Sequence, residues 1–88
     1  MKVRWTDRAL RDLAAVFDYV AEDNEGAAAR LADRLLEAAS RLGDMPLLGR
    51  PAEGGRRVLV VDRFLLFYRV AQGEARIVSV IHASRRKR

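Results

Sequence analysis

The chain has 88 residues, half of them hydrophobic and a third charged, with no cysteine and a formal net charge of +5. That length allows one domain, residues 1–88, with a modest core, since a chain of this size buries only about 60% of the surface its unfolded form exposes. The composition excludes a disordered chain, a disulfide scaffold and a thiolate metal site. There is no run of 18 apolar residues and no basic-then-apolar leader, so a cytoplasmic location without membrane association is expected.

Charge is segregated. Residues 1–44 carry seven basic and nine acidic side chains, whereas residues 45–88 carry ten basic and three acidic. A back half of net +7 is suited to a negative partner, either nucleic acid or an acidic protein segment.

Taken in chain order, "MKVRWT" alternates, with Val3 and Trp5 on one side, and predicts a first strand. Thr6 or Asp7 can cap a helix from Arg8 to Glu22, whose stripe is Leu10, Leu13, Phe17 and Val20. "EDNEG" interrupts it. A second helix starts near Asn24, shows Leu31, Leu35, Ala38 and Leu42, and ends at Gly43, read as a left-handed terminator before Pro46. The short break makes the two an antiparallel hairpin. The stretch "GDMPLLGRPAEGG" is irregular. Beyond it "RRVLVV", the turn "DR", "FLLFYRV", the turn "AQGE" and "ARIVSVIH" form an antiparallel meander of three strands. The expected fold is therefore α+β in the order β-α-α-β-β-β, with the helical hairpin on one face of a small antiparallel sheet.

The meander strands are apolar at both parities. Leu65 and Phe67 point opposite to Phe64, Leu66 and Tyr68, and two helices cover only one face. An uncovered apolar face implies a protein whose resting state is a complex.

Chemistry for catalysis is sparse. There is no Gly-rich phosphate loop and only one histidine, so no zinc pair, and neither a metal nor another cofactor nor a small-molecule substrate is expected. What remains is His82 at the end of the last strand, with Arg56, Arg57, Arg69, Arg85 and Arg86. A histidine base with arginines around a phosphate is the inventory of a metal-independent ribonuclease. The alternatives are a structural histidine followed by a solvated basic tail, or a basic module that only binds nucleic acid.

Several motifs together resemble the RelE/ParE superfamily of toxins from type II toxin–antitoxin systems. They are W-T-x-x-A-x-x-D-L from Trp5 to Leu13, Y-V-A at Tyr19, N-x-x-A-A from Asn24, P-x-x-G-R from Pro46 to Arg50, Y-R-V ending at Val70, and V-I-H-A-S-R-R from Val80 to Arg86. The resemblance runs nearly end to end and implies the same fold, with Glu25 standing where the family often has proline. In the RelE branch the toxin cuts mRNA on the ribosome with basic residues on the sheet, often aided by a tyrosine near the C-terminus. Here Leu65 stands where that branch carries an arginine, and no tyrosine follows Tyr68. The opening and the H-x-x-R-R ending look more like the ParE branch, whose members poison DNA gyrase. The resemblance thus implies a non-catalytic topoisomerase inhibitor with DNA gyrase as target, contacted by His82, Arg85 and Arg86. It also implies a cognate antitoxin, acidic and ParD-like, encoded nearby. The antitoxin would cover Trp5, Leu65, Phe67 and Arg69. The ribonuclease alternative would use His82, Arg57, Arg69 and Arg85.

Overall fold

A computed structural model describes residues 1–85 of the chain. Thr6 joins its first two elements. Its Oγ1 accepts the Ala9 N–H at 3.2 Å, capping helix α1 (Asp7–Ala21), and donates to the Ile77 carbonyl at 2.8 Å, which ties strand β1 (Lys2–Trp5) to the far end of the sequence. Ala9 is fully buried where the helix crosses the sheet. Asn24 caps helix α2 (Glu25–Arg41) in the same way, its side chain accepting the Ala27 N–H at 2.9 Å.

The meander follows as β3 (Arg57–Val61), β4 (Phe64–Ala71) and β5 (Glu74–His82). Its second turn places Gln72 and Gly73 at positive φ, as a two-residue turn matched to strand twist requires. The β4–β5 ladder slips between Phe67 and Tyr68: Phe67 faces Ser79 and Tyr68 faces Ile77, leaving Val78 as a bulge.

The α+β plan is as expected, a hairpin of helices on one face of a small sheet, with two differences in the sheet. It has five strands in the order β1-β5-β4-β3-β2, because the loop contributes a two-residue edge strand, β2 (Arg50–Pro51). It is also mixed, since β1 runs parallel to β5 with Trp5 opposite Ile77. Edge pairing between the two ends of a chain has no local sequence signature. Gly43 is a further correction. It is not in the left-handed region. The end of α2 instead tightens into i→i+3 bonds from Leu42, Gly43 and Asp44. Gly43 is needed for proximity: a Cβ there would lie 2.9 Å from the Met1 carbonyl, whose own terminal ammonium donates to the Gly43 carbonyl at 2.6 Å.

The helices cover the near face, where Leu31, Leu35, Ala39 and Leu42 meet Phe64, Leu66, Tyr68, Ile77 and Val80. Tyr68 organises the loop as well as the core. Fully buried, its hydroxyl accepts the Gly49 N–H and donates to the Pro46 carbonyl, both at 2.8 Å. Gly49 has no room for a side chain, since a Cβ would sit 2.7 Å from the Val58 carbonyl and 2.8 Å from the Tyr68 ring.

The far face is not left open. Val58, Leu65 and Phe67 form a second small cluster with Ala52, Val78 and Ile81 around them, and Leu65 and Phe67 are only 4% and 7% exposed. The irregular loop covers part of it. Gly54 and Gly55, both at positive φ, turn the chain back. The Arg56 guanidinium then lies 4.4 Å from the Phe67 ring centroid, and Arg69 donates to the Gly54 carbonyl. Arginine stems cover hydrocarbon while their heads satisfy loop carbonyls. The parity reading of β4 holds, but the inference of an uncovered apolar face does not.

Candidate functional site

His82 ends β5 opposite Phe64, and the two rings meet edge to face at 5.2 Å between centroids. A closing turn, Ala83–Arg85, then bends the chain so that the Ser84 N–H donates to His82 Nδ1 at 3.0 Å. Since a backbone N–H is a donor only, Nδ1 is an acceptor and the ring hydrogen sits on Nε2. The Ser84 hydroxyl, 2.7 Å from Nδ1, reinforces this. The imidazole is thereby fixed in orientation, with an Nε2–H that has no acceptor among the described residues.

Between this strand end and α1 lies a groove of about 490 Å³. Phe64, Val80 and His82 form one side, Ala15, Val16 and Tyr19 the other, and Arg85 stands at its rim. The groove exists because β1 stops at Trp5, so β5 beyond Ile77 has no strand on its β1 side, while β4 pairs its other side. Asp12 closes part of that open edge: its carboxylate accepts the Val80 N–H at 3.0 Å. Such charge-assisted bonds are the stronger kind. Tyr19, on the same flank of α1 one heptad later, is 72% exposed. The arrangement offers an apolar floor, an imidazole N–H and a guanidinium, which suits docking against a partner more than proton transfer.

The sequence-selected residues do not all gather here. His82 and Arg85 line the groove together. Arg86 lies outside the described residues. Arg57 faces Tyr68 and Arg69 faces Arg76, four and five residues along β4 from the His82 level, roughly 13–17 Å away. Arg69 is also on the opposite face. Both are engaged elsewhere: Arg57 Nε donates to the Gly49 carbonyl at 2.8 Å, and Arg69 to Gly54. The four positions expected to meet an antitoxin do not form one surface. Trp5 packs against the near-face core, Leu65 and Phe67 are covered, and of the four Arg69 alone stands exposed on the far face. Asp12 and Tyr19 stand in the family motifs, but sequence reasoning assigns them no site role. Their spacing of seven residues, off the apolar stripe, is the signal that places them on one helix flank. Among the described residues no cluster of metal ligands occurs and no helix is long and apolar enough to cross a membrane.

A capped helical hairpin on one face of a small mixed sheet, with a basic strand end beside the first helix, defines a protein of the RelE/ParE toxin type. The family of ParE toxins of type II toxin–antitoxin systems matches residues 3–87, and the chain belongs to it. It is 42% identical over 85 residues to toxin RelE2 of Caulobacter vibrioides, covering 96% of this chain and 97% of that one. It is 34% identical to the putative toxin Y4kP of Sinorhizobium fredii, over 93% and 88% of the two chains. Its fold matches a chain of the chromosomal ParDE system from P. aeruginosa with a TM-score of 0.81 and 28% identity, over 93% and 95% of the chains. It also matches a chain of the RelBE2 toxin–antitoxin complex from Mycobacterium tuberculosis with a TM-score of 0.72 and 25% identity, over 92% and 95%. These names span both branches of the superfamily.

Proposed function

We propose that this chain is a toxin held inactive by a separately made antitoxin, and that its target is a DNA topoisomerase of the gyrase type, not mRNA. The observation that carries the choice of target is the dispersal of the ribonuclease inventory. His82 stands apart from Arg57 and Arg69, and both arginines are committed to loop carbonyls. In-line cleavage needs its base and its phosphate ligands within hydrogen-bond reach of one reacting group. His82 and Arg85 at the groove, with Arg86, are the contacts assigned to the target. The ParE family match supports the same branch.

An antitoxin is supported by the two solved relatives, which come from toxin–antitoxin systems, and by apolar side chains this chain leaves in water. Met45, Leu47 and Leu48 after α2, with Val60 on β3, are all large and exposed.

The test is a supercoiling assay with purified gyrase alongside a translation reaction with intact mRNA. Inhibition of supercoiling with accumulation of cleaved DNA is expected, weakened about tenfold or more in His82→Ala/Arg85→Ala, the scale of losing one to two charged or polar contacts. Cut mRNA with unimpaired supercoiling would transfer the assignment to the ribonuclease reading, which the resemblance to toxin RelE2 favours.

A further inference from the structure

Helix α1 carries most of its charges against its own dipole. Arg8 and Arg11 lie within its first five residues, Asp18 is in its last turn, Glu22 and Asp23 follow it, and no basic side chain stands in that last turn. A helix N-terminus disfavours cations and a C-terminus disfavours anions, so only Asp7 sits where a lone helix wants it. Arg8 has the Asp12 carboxylate one turn on, at 3.8 Å. Among the described residues Arg11 and Asp18 have no ion-pair partner. Beside these charges runs hydrocarbon. Leu10, Ala14 and Phe17, spaced four and three residues apart, share one flank of α1, and Leu10 is 48% and Phe17 37% exposed. Two residues turn a helix by roughly 200°, which identifies that flank. Tyr19, two residues after Phe17, lines the groove beside β5, so Phe17 lies on the other flank, toward α2. Likewise Arg34 donates to Asp62, just after β3, at 2.7 Å, so Leu36, two residues later and 44% exposed, lies on the flank of α2 toward α1. The hairpin therefore shows an apolar seam on its outer surface, away from the sheet.

We infer that this seam is a self-association site, on which a second copy of the chain packs with its α1 antiparallel to the first about a twofold axis near Ala14. Leu10 of one copy then comes opposite Phe17 of the other, Ala14 meets Ala14 and lets the helices approach, and Arg11 falls beside Asp18 on both sides of the axis. Charge complementarity names the occupant. A chain of net +5 repels its own copies over most of its surface. On α1 a twofold axis brings opposite signs together, because the basic and acidic ends of the helix change places across it. The order of charges that opposes the dipole of one helix suits two, since antiparallel dipoles set each end against its opposite. An acidic foreign segment is a poorer occupant, because it would lie against Asp18 and Glu22 in the half of the chain with net charge −2. Three large side chains per copy make a contact at the low end of interface sizes, so a dissociation constant of about 10–100 μM is expected. The groove with His82 lies on the other flank of α1 and stays open in both copies.

Sedimentation equilibrium of the purified full chain, up to about 500 μM, measures the association. A monomer–dimer equilibrium is expected, weakened several-fold by raised salt as exposed ion pairs are. Asp18→Arg sets like charges against each other at both ends of the contact and should weaken the dimer about tenfold or more. Arg11→Asp/Asp18→Arg exchanges the two signs and should restore most of that loss; the exchange also follows the helix dipole, so the variant keeps its fold. Leu10→Ser/Phe17→Ser should leave a monomer, whereas Met45→Ser/Leu47→Ser, which removes exposed hydrocarbon elsewhere, should leave the constant within about twofold of the wild type. A chain that stays monomeric throughout, or a dimer indifferent to Asp18→Arg and dissolved by Met45→Ser/Leu47→Ser, would overturn the assignment. So would a monomer whose capture of a co-encoded antitoxin is lost in Leu10→Ser/Phe17→Ser, since the seam would then belong to that partner.

Discussion

Removing one oxygen atom from the centre of the protein should detach its longest loop. In Tyr68→Phe the ring stays in place, and the near-face packing around Leu35, Leu42, Leu66 and Ile77 is unchanged. What disappears is the hydroxyl that accepts the Gly49 N–H and donates to the Pro46 carbonyl. The Gly49 N–H is buried and would be left without an acceptor, at a cost of about 1–3 kcal/mol; the Pro46 carbonyl is partly accessible and can take water, adding about 0.5–1 kcal/mol. A loss of roughly 2–3 kcal/mol corresponds to a fall of about 10–20 °C in Tm for a domain of this length. Thermal unfolding followed by far-ultraviolet circular dichroism gives the number. Amide exchange should show Gly49 losing protection while the β4–β5 ladder keeps it. A Tm lowered by less than about 2 °C would refute the reasoning, because it would mean the loop is held by Arg57 and the β2–β3 pairing without help from the phenol.

Two further outcomes follow from other contacts. Asp12→Ala removes the acceptor for the Val80 N–H and should cost about 1.5–3 kcal/mol in denaturant unfolding, with faster exchange at Val80; Asp12→Asn, which keeps an oxygen, should recover most of it. Glu74 is held below its ordinary pKa by its hydrogen bond from Arg76 first and from Arg4 second. Its folded value lies below its unfolded one, so its stabilising effect is full above the unfolded value of about 4.3 and disappears as pH falls through the folded value. Acid unfolding of the wild type should therefore be steeper below about pH 4.5 than that of Glu74→Gln; parallel curves would show that the carboxylate does not neutralise Arg4 and Arg76.

Local chemistry was legible and cross-chain chemistry was not. Thr6 and Asn24 can be read as caps because the helical stripes begin just after them, and the opposed parities of Leu65 and Leu66 follow from a period of two. The W-T-x-x-A-x-x-D-L motif becomes intelligible only in three dimensions: Thr6 bonds Ile77, Ala9 gives clearance, and Asp12 reaches Val80, each partner some seventy residues away. Gly43 misled because a glycine after a helix suggests a left-handed cap, whereas the constraint comes from Met1 packed against it. Strands apolar on both sides were read as one face too many for two helices. They record instead that an irregular loop reaches the second face, and a loop held by side-chain bonds to its own carbonyls has no periodicity to betray it.

That loop changes what the basic half of the chain means. An excess of arginine invites a reading in which every guanidinium awaits a target. Arg56 on Phe67, Arg57 on Gly49 and Arg69 on Gly54 instead help to fasten the loop. A chain this small has little hydrocarbon to spare, and an arginine supplies both an apolar stem and donors for carbonyls that no strand can pair. Subtracting those roles sharpens the functional charge. Arg85 at the groove remains for the target, and Arg4 and Arg76, both bonded to Glu74, remain on the far face. The two sites lie at different ends of β5, the groove at its close and these arginines at its start. His82 lines the near-face groove beside α1, so an acidic segment lying on the far-face arginines leaves it uncovered unless that segment also passes over the open edge of β5 beyond Ile77. Neutralisation by direct occlusion therefore requires a segment that reaches both faces of the sheet, and length along β5 alone, about 30 Å for nine residues in extended form, does not supply it.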